Sequence, residues 1–479
     1  MFKIKKISEA YARVIGPVDL LDQLSETLTI PVANFWFHPK YKMGLWDGRI
    51  RFFNKGKILT GLLPKVTQYL DDRGYEYEID PGLGEKTEVD FKRFIRVTKN
   101  SFKGNFIPNI HQMRGAFLAI KNRKGILSHC TSAGKTFTCW AIINYLMTAG
   151  HIENALLVVP KIGLVEQTVK EFLDYGTDPE DIGRFYGEVK EPGKKITIST
   201  WQSLKDKKKI TNEILGNADM FICDEIHSAK ANVVRTVFER CTAARWRIGV
   251  TGTIPEERAD IYTIRGLTGN ILDKVKTKEL QDKGIVSKMK LNILFLKHSK
   301  EFEKSVLDYQ HERVLLENST RRNRVIATLA KGYLKKKKNV LILYDKLDHG
   351  KKIKDRMSGS KYKKMFQIEG DVKVQAREEA REYAEENDGV LLLATYGVFS
   401  TGVNIKNLHV VIFASTGKAK IKLLQSVGRG LRKHPNKKHL MLFDVADSTK
   451  YSKRHLEKRL EYYTNEEYDL EMNELIIGD

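Results

Sequence analysis

From Gly125 to about Gly284, short unbroken apolar runs alternate with stretches whose apolar positions repeat at helical spacing. Ile126-Leu127, Ala155 to Val159, Ile196 to Ser199, Met220 to Cys223 and Ile248 to Val250 predict strands. Phe137 to Met147 and Gly163 to Tyr175 predict helices between them. Strands that are apolar throughout are buried on both faces, so this rhythm predicts a parallel sheet covered by helices on both sides. Near Val286 the alternation restarts, with strands expected at Leu291 to Leu296, Val340 to Tyr344, Val390 to Ala394, Val410 to Ala414 and Leu440 to Phe443. A second α/β lobe follows from that restart. One long charged helix is expected over Glu301 to Lys338, a polar linker over Lys92 to Asn109, and a helical segment beyond Asp447. Residues 1–99 alternate short β-type runs with turns and predict a small α+β domain. The expected divisions are 1–99, 100–285 and 286–479.

Charge changes the picture more than composition does. The chain of 479 residues carries a formal charge of +23, which favours a polyanionic partner, nucleic acid being the commonest. A merely solvated basic surface is the plainer alternative. No stretch approaches the roughly 18 uninterrupted apolar residues of a membrane helix. The N-terminus Met1-Phe2-Lys3-Ile4-Lys5-Lys6 has no apolar core followed by a cleavage site, so the expected location is the cytoplasm and no membrane partner is expected. Cys130, Cys139, Cys223 and Cys241 never form a C-x-x-C pair and read as buried thiols.

The candidate chemistry sits where the apolar runs end. Ile126-Leu127 leads into Thr131-Ser132-Ala133-Gly134-Lys135-Thr136, the layout of a phosphate-binding P-loop. Such a loop aims backbone N–H groups and a helix N-terminus at anionic oxygens, the lysine adds a point charge, and the threonine hydroxyl reaches a magnesium ion. The ligand expected is a nucleoside triphosphate. His129 stands where the usual spacing has the first glycine. Downstream, an apolar strand delivers Asp224-Glu225, one carboxylate suited to a metal and one to orienting or deprotonating water. Gln112 precedes the P-loop and can bond adenine at its donor and acceptor edge, though a surface glutamine is as good a reading by itself. Pro160, Lys161, Thr200, Thr251 and Thr253 also close strands, where small polar residues bind backbone phosphates or couple sites; singly, each also reads as an ordinary turn. Arg429 and Arg432 lie three apart, on one face of any helix there, and suit transition-state charge on a γ-phosphate. In residues 35–53 aromatics alternate with cations. Lys40, Lys42, Arg49 and Arg51 are the nucleic-acid contact candidates, whereas Trp36, Trp46 and Phe52 each read better as domain core.

Taken in order, Gln112, Thr131 to Thr136, Pro160, Thr200, Asp224 to His227, Thr251 to Thr253, Thr395 to Gly402 and Gln425 to Arg432 resemble the motif set of superfamily 2 helicases. The runs Thr131 to Lys135, Tyr396 to Gly402 and Trp46-Asp47-Gly48-Arg49-Ile50-Arg51 are similar to the recombination and repair helicases of T-even bacteriophages. The resemblance implies an α/β fold of two RecA-like parallel-sheet lobes in tandem with a small N-terminal α+β domain. It makes 1–99 the nucleic-acid-binding domain, 100–285 the ATP-binding lobe, and 286–479 the second lobe with a C-terminal helical extension. From its own composition, rich in Lys, Arg, Glu and Tyr, the segment after about Asp447 is a candidate contact for DNA or a protein partner.

The resemblance also implies ATP and Mg²⁺ as cofactors and ATP-driven remodelling of branched DNA: fork regression, Holliday-junction branch migration and dissociation of R-loops, hence RNA–DNA hybrids among the partners. On this reading Gly402 and Gln425 join Gln112, Thr131, Ser132, Ala133, Gly134, Lys135, Thr136 and Asp224 around the nucleotide, with Thr136 and Asp224 on the metal. Glu225 is the base, Arg429 and Arg432 reach the γ-phosphate, and Pro160, Lys161, Thr200 and Thr395 grip a strand. His227, Thr251 and Thr253 couple the two events. An RNA helicase with the same core, or a non-catalytic ATP-switched clamp or annealing factor, are the alternatives.

Overall fold

The computed structural model describes the chain except for residues 207, 229, 230, 256, 371, 373, 400–404, 416, 418–433, 435, 436, 438 and 479. It forms two compact units, one of Met1–His129 with Ala133–Val275, the other of Cys130–Ser132 with Lys276–Asp479.

The first unit contains two main sheets. In the N-terminal one, β1 (Phe2–Lys6) and β2 (Tyr11–Ile15) pair antiparallel. A separate ribbon joins β3 (Thr29–Pro31) to β4 (Arg49–Arg51). With β5 (Phe53–Asn54), β6 (Lys57–Leu59) and β7 (Tyr77–Ile79), the sheet order is β5-β6-β2-β1-β7. Alternate residues Phe2, Ile4, Ala12 and Val14 face its core. This domain seats on the helix Arg258–Thr268: a Cβ on Gly61 would lie 2.0 Å from the Arg265 carbonyl oxygen, so only glycine permits the approach.

The larger sheet follows, built from β8 (Lys124–His129), β9 (Ala155–Val159), β10 (Ile182–Tyr186), β11 (Val189–Lys190), β12 (Ile196–Thr200), β13 (Met220–Asp224), β14 (Trp246–Thr251) and β15 (Ile271–Val275). Its order is β11-β10-β12-β9-β13-β14-β8-β15, and all pairs except β10–β11 are parallel. Every residue of β9 is buried, as an unbroken Ala-Leu-Leu-Val-Val run requires when helices cover both faces.

The second unit holds β16 (Lys288–Lys297), β17 (Val340–Tyr344), β18 (Lys364–Ile368), β19 (Val390–Thr395), β20 (Val410–Phe413), β21 (His439–Asp447) and β22 (Asp469–Ile476). All neighbours in the order β18-β19-β17-β20-β21-β16-β22 are parallel. The α/β architecture expected from the apolar rhythm is therefore observed twice.

Four local expectations are corrected. The stretch expected as a linker contains the helix Phe91–Ser101, capped by Asp90, whose carboxylate accepts the Arg93 N–H at 2.7 Å; Phe94 is fully buried. The long helix expected over Glu301 to Lys338 is three helices, Lys300–Ser305, Tyr309–Asn318 and Thr320–Lys335, each started by a capping side chain of Ser299, Asp308 or Ser319. The segment beyond Asp447 is helical only over Lys450–Asn465 and then supplies the edge strand β22. That helix is anchored by Arg459, which donates to Asp444 at 2.7 Å; Tyr463 donates to the same carboxylate at 2.7 Å, all three groups being buried. Finally, Phe52 is core as expected, but Trp36 is 50% exposed.

Candidate active site

Many of the sequence-predicted residues lie along the carboxyl ends of adjacent parallel strands of the larger sheet, the position at which open α/β sheets bind ligands. Reading across the sheet, β12 ends in Thr200, β9 leads to Pro160-Lys161, β13 ends in Asp224, β14 ends in Thr251, and β8 leads into Thr131 to Thr136. The order in space thus separates Thr200, Pro160 and Lys161 from the P-loop by the Asp224 and Thr251 strands.

The loop before Lys135 turns through left-handed backbone. Ser132 has φ of +67° and Gly134 +80°, both left-handed, and the helix Lys135–Thr148 starts immediately afterwards. A side chain on Gly134 is excluded on two grounds, its φ and the approach of Gln112, whose Nε2 would lie 1.8 Å from an added Cβ. The Gln112 carbonyl oxygen accepts the Asn109 N–H at 2.7 Å, so this glutamine caps the helix Ile110–Asn122 while its amide nitrogen faces the loop. Its neighbour His111, buried, bonds the Ala133 carbonyl oxygen through Nε2 at 2.9 Å.

The missing first glycine also has an account. His129 is fully buried, and its Nε2 meets the Asp273 carboxylate at 3.0 Å. Asp273 also takes Arg114 at 2.8 Å. The imidazole fits beneath the helix because position 115 is glycine, where a Cβ would lie 2.5 Å from the ring. Burial raises the Asp273 carboxyl, but bonding to His129 and Arg114 outweighs that and holds it below the usual carboxylate range. Sequence reasoning missed His111, Arg114 and Asp273 as supports of this loop.

Five residues from three strand ends form one chain of contacts. Lys135 Nζ lies 3.1 Å from Glu225 Oε1, and Glu225 Oε2 lies 3.3 Å from His227 Nδ1. His227 Nδ1 is also 2.6 Å from the Thr251 hydroxyl, which donates to the Thr253 carbonyl oxygen at 2.8 Å. With that hydroxyl proton used, the imidazole Nδ1–H is the donor to Thr251. Glu225 sits at φ +49°, a costly conformation for a residue with a Cβ, and its N–H bonds the Asp224 carboxylate at 3.0 Å. Burial pushes the Glu225 carboxyl up, but the Lys135 and His227 charges override this, so the group is held below its ordinary value. Ile226 packs into the core.

Thr200 is buried, and its hydroxyl shares a hydrogen bond with Ser203 at 2.9 Å. Lys161 is exposed and heads the helix Ile162–Tyr175, and Pro160 is half-buried. Thr251 is fully buried and Thr253 half-buried. In the second unit Thr395 closes β19, half-buried. Gly402, Gln425, Arg429 and Arg432 lie outside the described residues. In the N-terminal domain Lys40 and Lys42 lie on the short helix Pro39–Lys42, and Arg49 and Arg51 share one face of β4; all four are exposed. Burial lifts the thiols of Cys139, Cys223 and Cys241 above their ordinary range, the last to about 12, as inert core groups.

Two tandem parallel-sheet lobes, matched by two helicase-type sequence profiles, are the architecture of superfamily 2 helicases, the class to which the chain is similar. Sequence profiles described as "Type III restriction enzyme, res subunit" and "Helicase conserved C-terminal domain" match residues 91–256 and 318–434. Within the class it is homologous to UvsW of phage T4. A profile described as "DNA helicase UvsW, N-terminal" matches residues 2–80. The "ATP-dependent DNA helicase uvsW" of Enterobacteria phage T4 is 29% identical over 456 residues, 92% of this chain and 89% of that protein. The crystal structure of T4 UvsW matches with TM-score 0.54 and 25% identity over 99% of each chain. The DUF1998 helicase MrfA, solved bound to DNA and AMPPNP, shares the fold with TM-score 0.57 at 16% identity, over 81% of this chain and 55% of that one.

Proposed function

We propose that this chain is an ATP-dependent DNA helicase or translocase that remodels branched DNA in phage recombination, repair and replication, acting in the host cytoplasm. The reading comprises fork regression, Holliday-junction branch migration and R-loop dissociation. The single observation that carries its chemistry is the contact of Lys135 with Glu225, because it brings a phosphate-binding cation and a water-activating carboxylate to one point. The homology with UvsW supports DNA as the track.

In this reading Lys135 binds the β- and γ-phosphates and Gln112 meets adenine, with Thr131, Ser132, Ala133 and Gly134 lining the phosphate path. Thr136 and Asp224 would hold Mg²⁺. Among the described residues no cluster of three or more His, Cys, Asp or Glu side chains could cage a metal. One carboxylate and one hydroxyl fit a cation that keeps water and substrate phosphate as its remaining ligands. When bound, the ion neutralises charge developing on the phosphates. Glu225 orients and deprotonates the attacking water once phosphate draws Lys135 away from it. Its second oxygen remains on His227, so a change at Glu225 reaches Thr251 and then Thr253 through three successive contacts.

Gly402, Gln425, Arg429 and Arg432 are assigned to the nucleotide in this proposal, and Pro160, Lys161, Thr200 and Thr395 to the strand. Residues 1–99 serve as the nucleic-acid-binding domain, 100–285 as the ATP-binding lobe, and 286–479 as the second lobe with its extension. A non-catalytic clamp has no use for a carboxylate at Glu225. Competition of branched DNA against structured RNA in a nucleic-acid-stimulated ATPase assay tests the reading. Branched DNA is expected to be the better activator, and preferential stimulation by RNA would overturn it.

A further inference from the structure

The N-terminal domain presents a feature that neither ATP hydrolysis nor phosphate contact uses. Within ten residues, five large apolar side chains face solvent: Trp36 at 50% exposure, Phe37 at 69%, Tyr41 at 38%, Met43 at 62% and Leu45 at 72%. Solvent-facing apolar residues are ordinary when scattered; a contiguous group marks a binding surface. This group is also ordered by its own packing. The Phe35 ring meets Tyr41 edge-on at 4.6 Å and Trp36 at 5.2 Å, and Trp36 meets Phe37 at 6.0 Å. Beneath them the chain turns at Gly48, φ +77°, where a Cβ would lie 2.3 Å from the Phe35 ring. Trp46 is tied to the same turn by its indole N–H, which donates to the Arg49 carbonyl oxygen at 2.8 Å.

Charge selects the ligand. Residues 31–53 contain four cations, Lys40, Lys42, Arg49 and Arg51, against one carboxylate, Asp47, which Arg51 already engages at 2.5 Å. Aromatic faces ringed by lysine and arginine match nucleotides, whose bases offer π-faces and whose backbone offers phosphate. Base pairs inside a duplex hide those faces by stacking on each other, whereas a base at a branch exposes one. We propose that Trp36 and Phe37 form a stacking wedge that takes unpaired bases at DNA branch points, giving the protein its preference for branched over linear DNA. The proposal rests on the reading that the chain acts on DNA and adds the element that selects the branch. Phosphate-directed contacts from Lys40, Lys42, Arg49 and Arg51 cannot make that selection, because linear and branched DNA carry the same backbone.

The test uses the full chain with Trp36→Ala/Phe37→Ala and, as the conservative control, Trp36→Phe/Phe37→Tyr. The probes are a three-way fork with 2-aminopurine at the branch and a linear duplex of equal length. Both side chains are exposed, so thermal stability is expected to match wild type. Wild type is expected to change the 2-aminopurine fluorescence. The alanine variant should lose that signal and bind the fork about tenfold or more weakly, with duplex affinity and single-strand-stimulated ATPase unchanged and the conservative pair restoring both signal and affinity. Unaltered fork affinity and fluorescence in the alanine variant would overturn the wedge. So would an equal loss on fork and duplex, or a change confined to self-association. A wild-type protein whose ATPase DNA does not stimulate would instead refute the proposed function, a result separate from the fluorescence readout.

Discussion

Lys135 Nζ lies 3.1 Å from Glu225 Oε1, so the cation expected on the phosphates and the carboxylate expected to activate water are each other's partners. On the proposed reading, phosphate competes for Lys135 and frees the Glu225 carboxylate to act on water, so nucleotide binding would arm the base.

Glu225→Gln tests that role. Nucleotide affinity is expected to persist while hydrolysis falls by about 10²- to 10⁴-fold. The same variant carries a pH signature. Because the folded carboxyl is held below its ordinary value, its contribution to stability is complete above the unfolded carboxylate range and is lost as pH falls through the folded value. Unfolding midpoints followed from neutral pH downward should therefore show a larger acid-side loss in wild type than in Glu225→Gln. Parallel curves would contradict the pairing.

His129→Ala removes a fully buried ring and leaves Asp273 with Arg114 alone. Cavity formation and the lost hydrogen bond together should destabilise the first unit by about 2–4 kcal/mol, read as a lower denaturant midpoint. Lys40→Ala, on the exposed surface, should stay within about 0.5 kcal/mol of wild type. An unchanged midpoint in His129→Ala would remove the support assigned to this histidine.

These two residues also show where sequence reading stops. Asp224 and Glu225 were legible because they close an apolar strand, and Lys135 because its Gly-Lys-Thr run sits between an apolar strand and an apolar helix, local signals that parallel sheets buried on both faces keep strong. The His129–Asp273 contact joins positions 144 apart. It lies on β15, whose Ile-Leu-Asp-Lys-Val run carries too much charge to read as a strand, and only the assembled sheet brings the two together. Edge strands β18 and β22 were hidden for the same reason: half of their positions or more meet solvent and show no apolar run. The helix Phe91–Ser101 was masked by Lys92, Arg93, Arg96 and Lys99, although Asp90 offered a readable cap. Ser299, Asp308 and Ser319 likewise marked three helix starts where charge periodicity suggested one continuous helix. Trp36 was expected inside because tryptophan usually is; its sequence carries no sign that the neighbouring turn lifts it into solvent.

His227 connects the Glu225 carboxylate to Thr251 and, through that hydroxyl, to Thr253. His227→Ala is expected to leave basal ATP turnover within about threefold of wild type while strand separation per ATP consumed falls about tenfold, the scale of a typical coupling energy. Parallel assays of phosphate release and fork unwinding measure the ratio. A proportional fall in both would make His227 part of the chemistry and not of the coupling.

The most direct measurement is steady-state ATP hydrolysis by Lys135→Ala on branched DNA, with binding to the same DNA measured alongside. Hydrolysis should drop by about 10²-fold or more while DNA affinity changes little, because the lysine acts on the phosphates and not on the strand. Turnover near the wild-type rate would contradict the account at its centre.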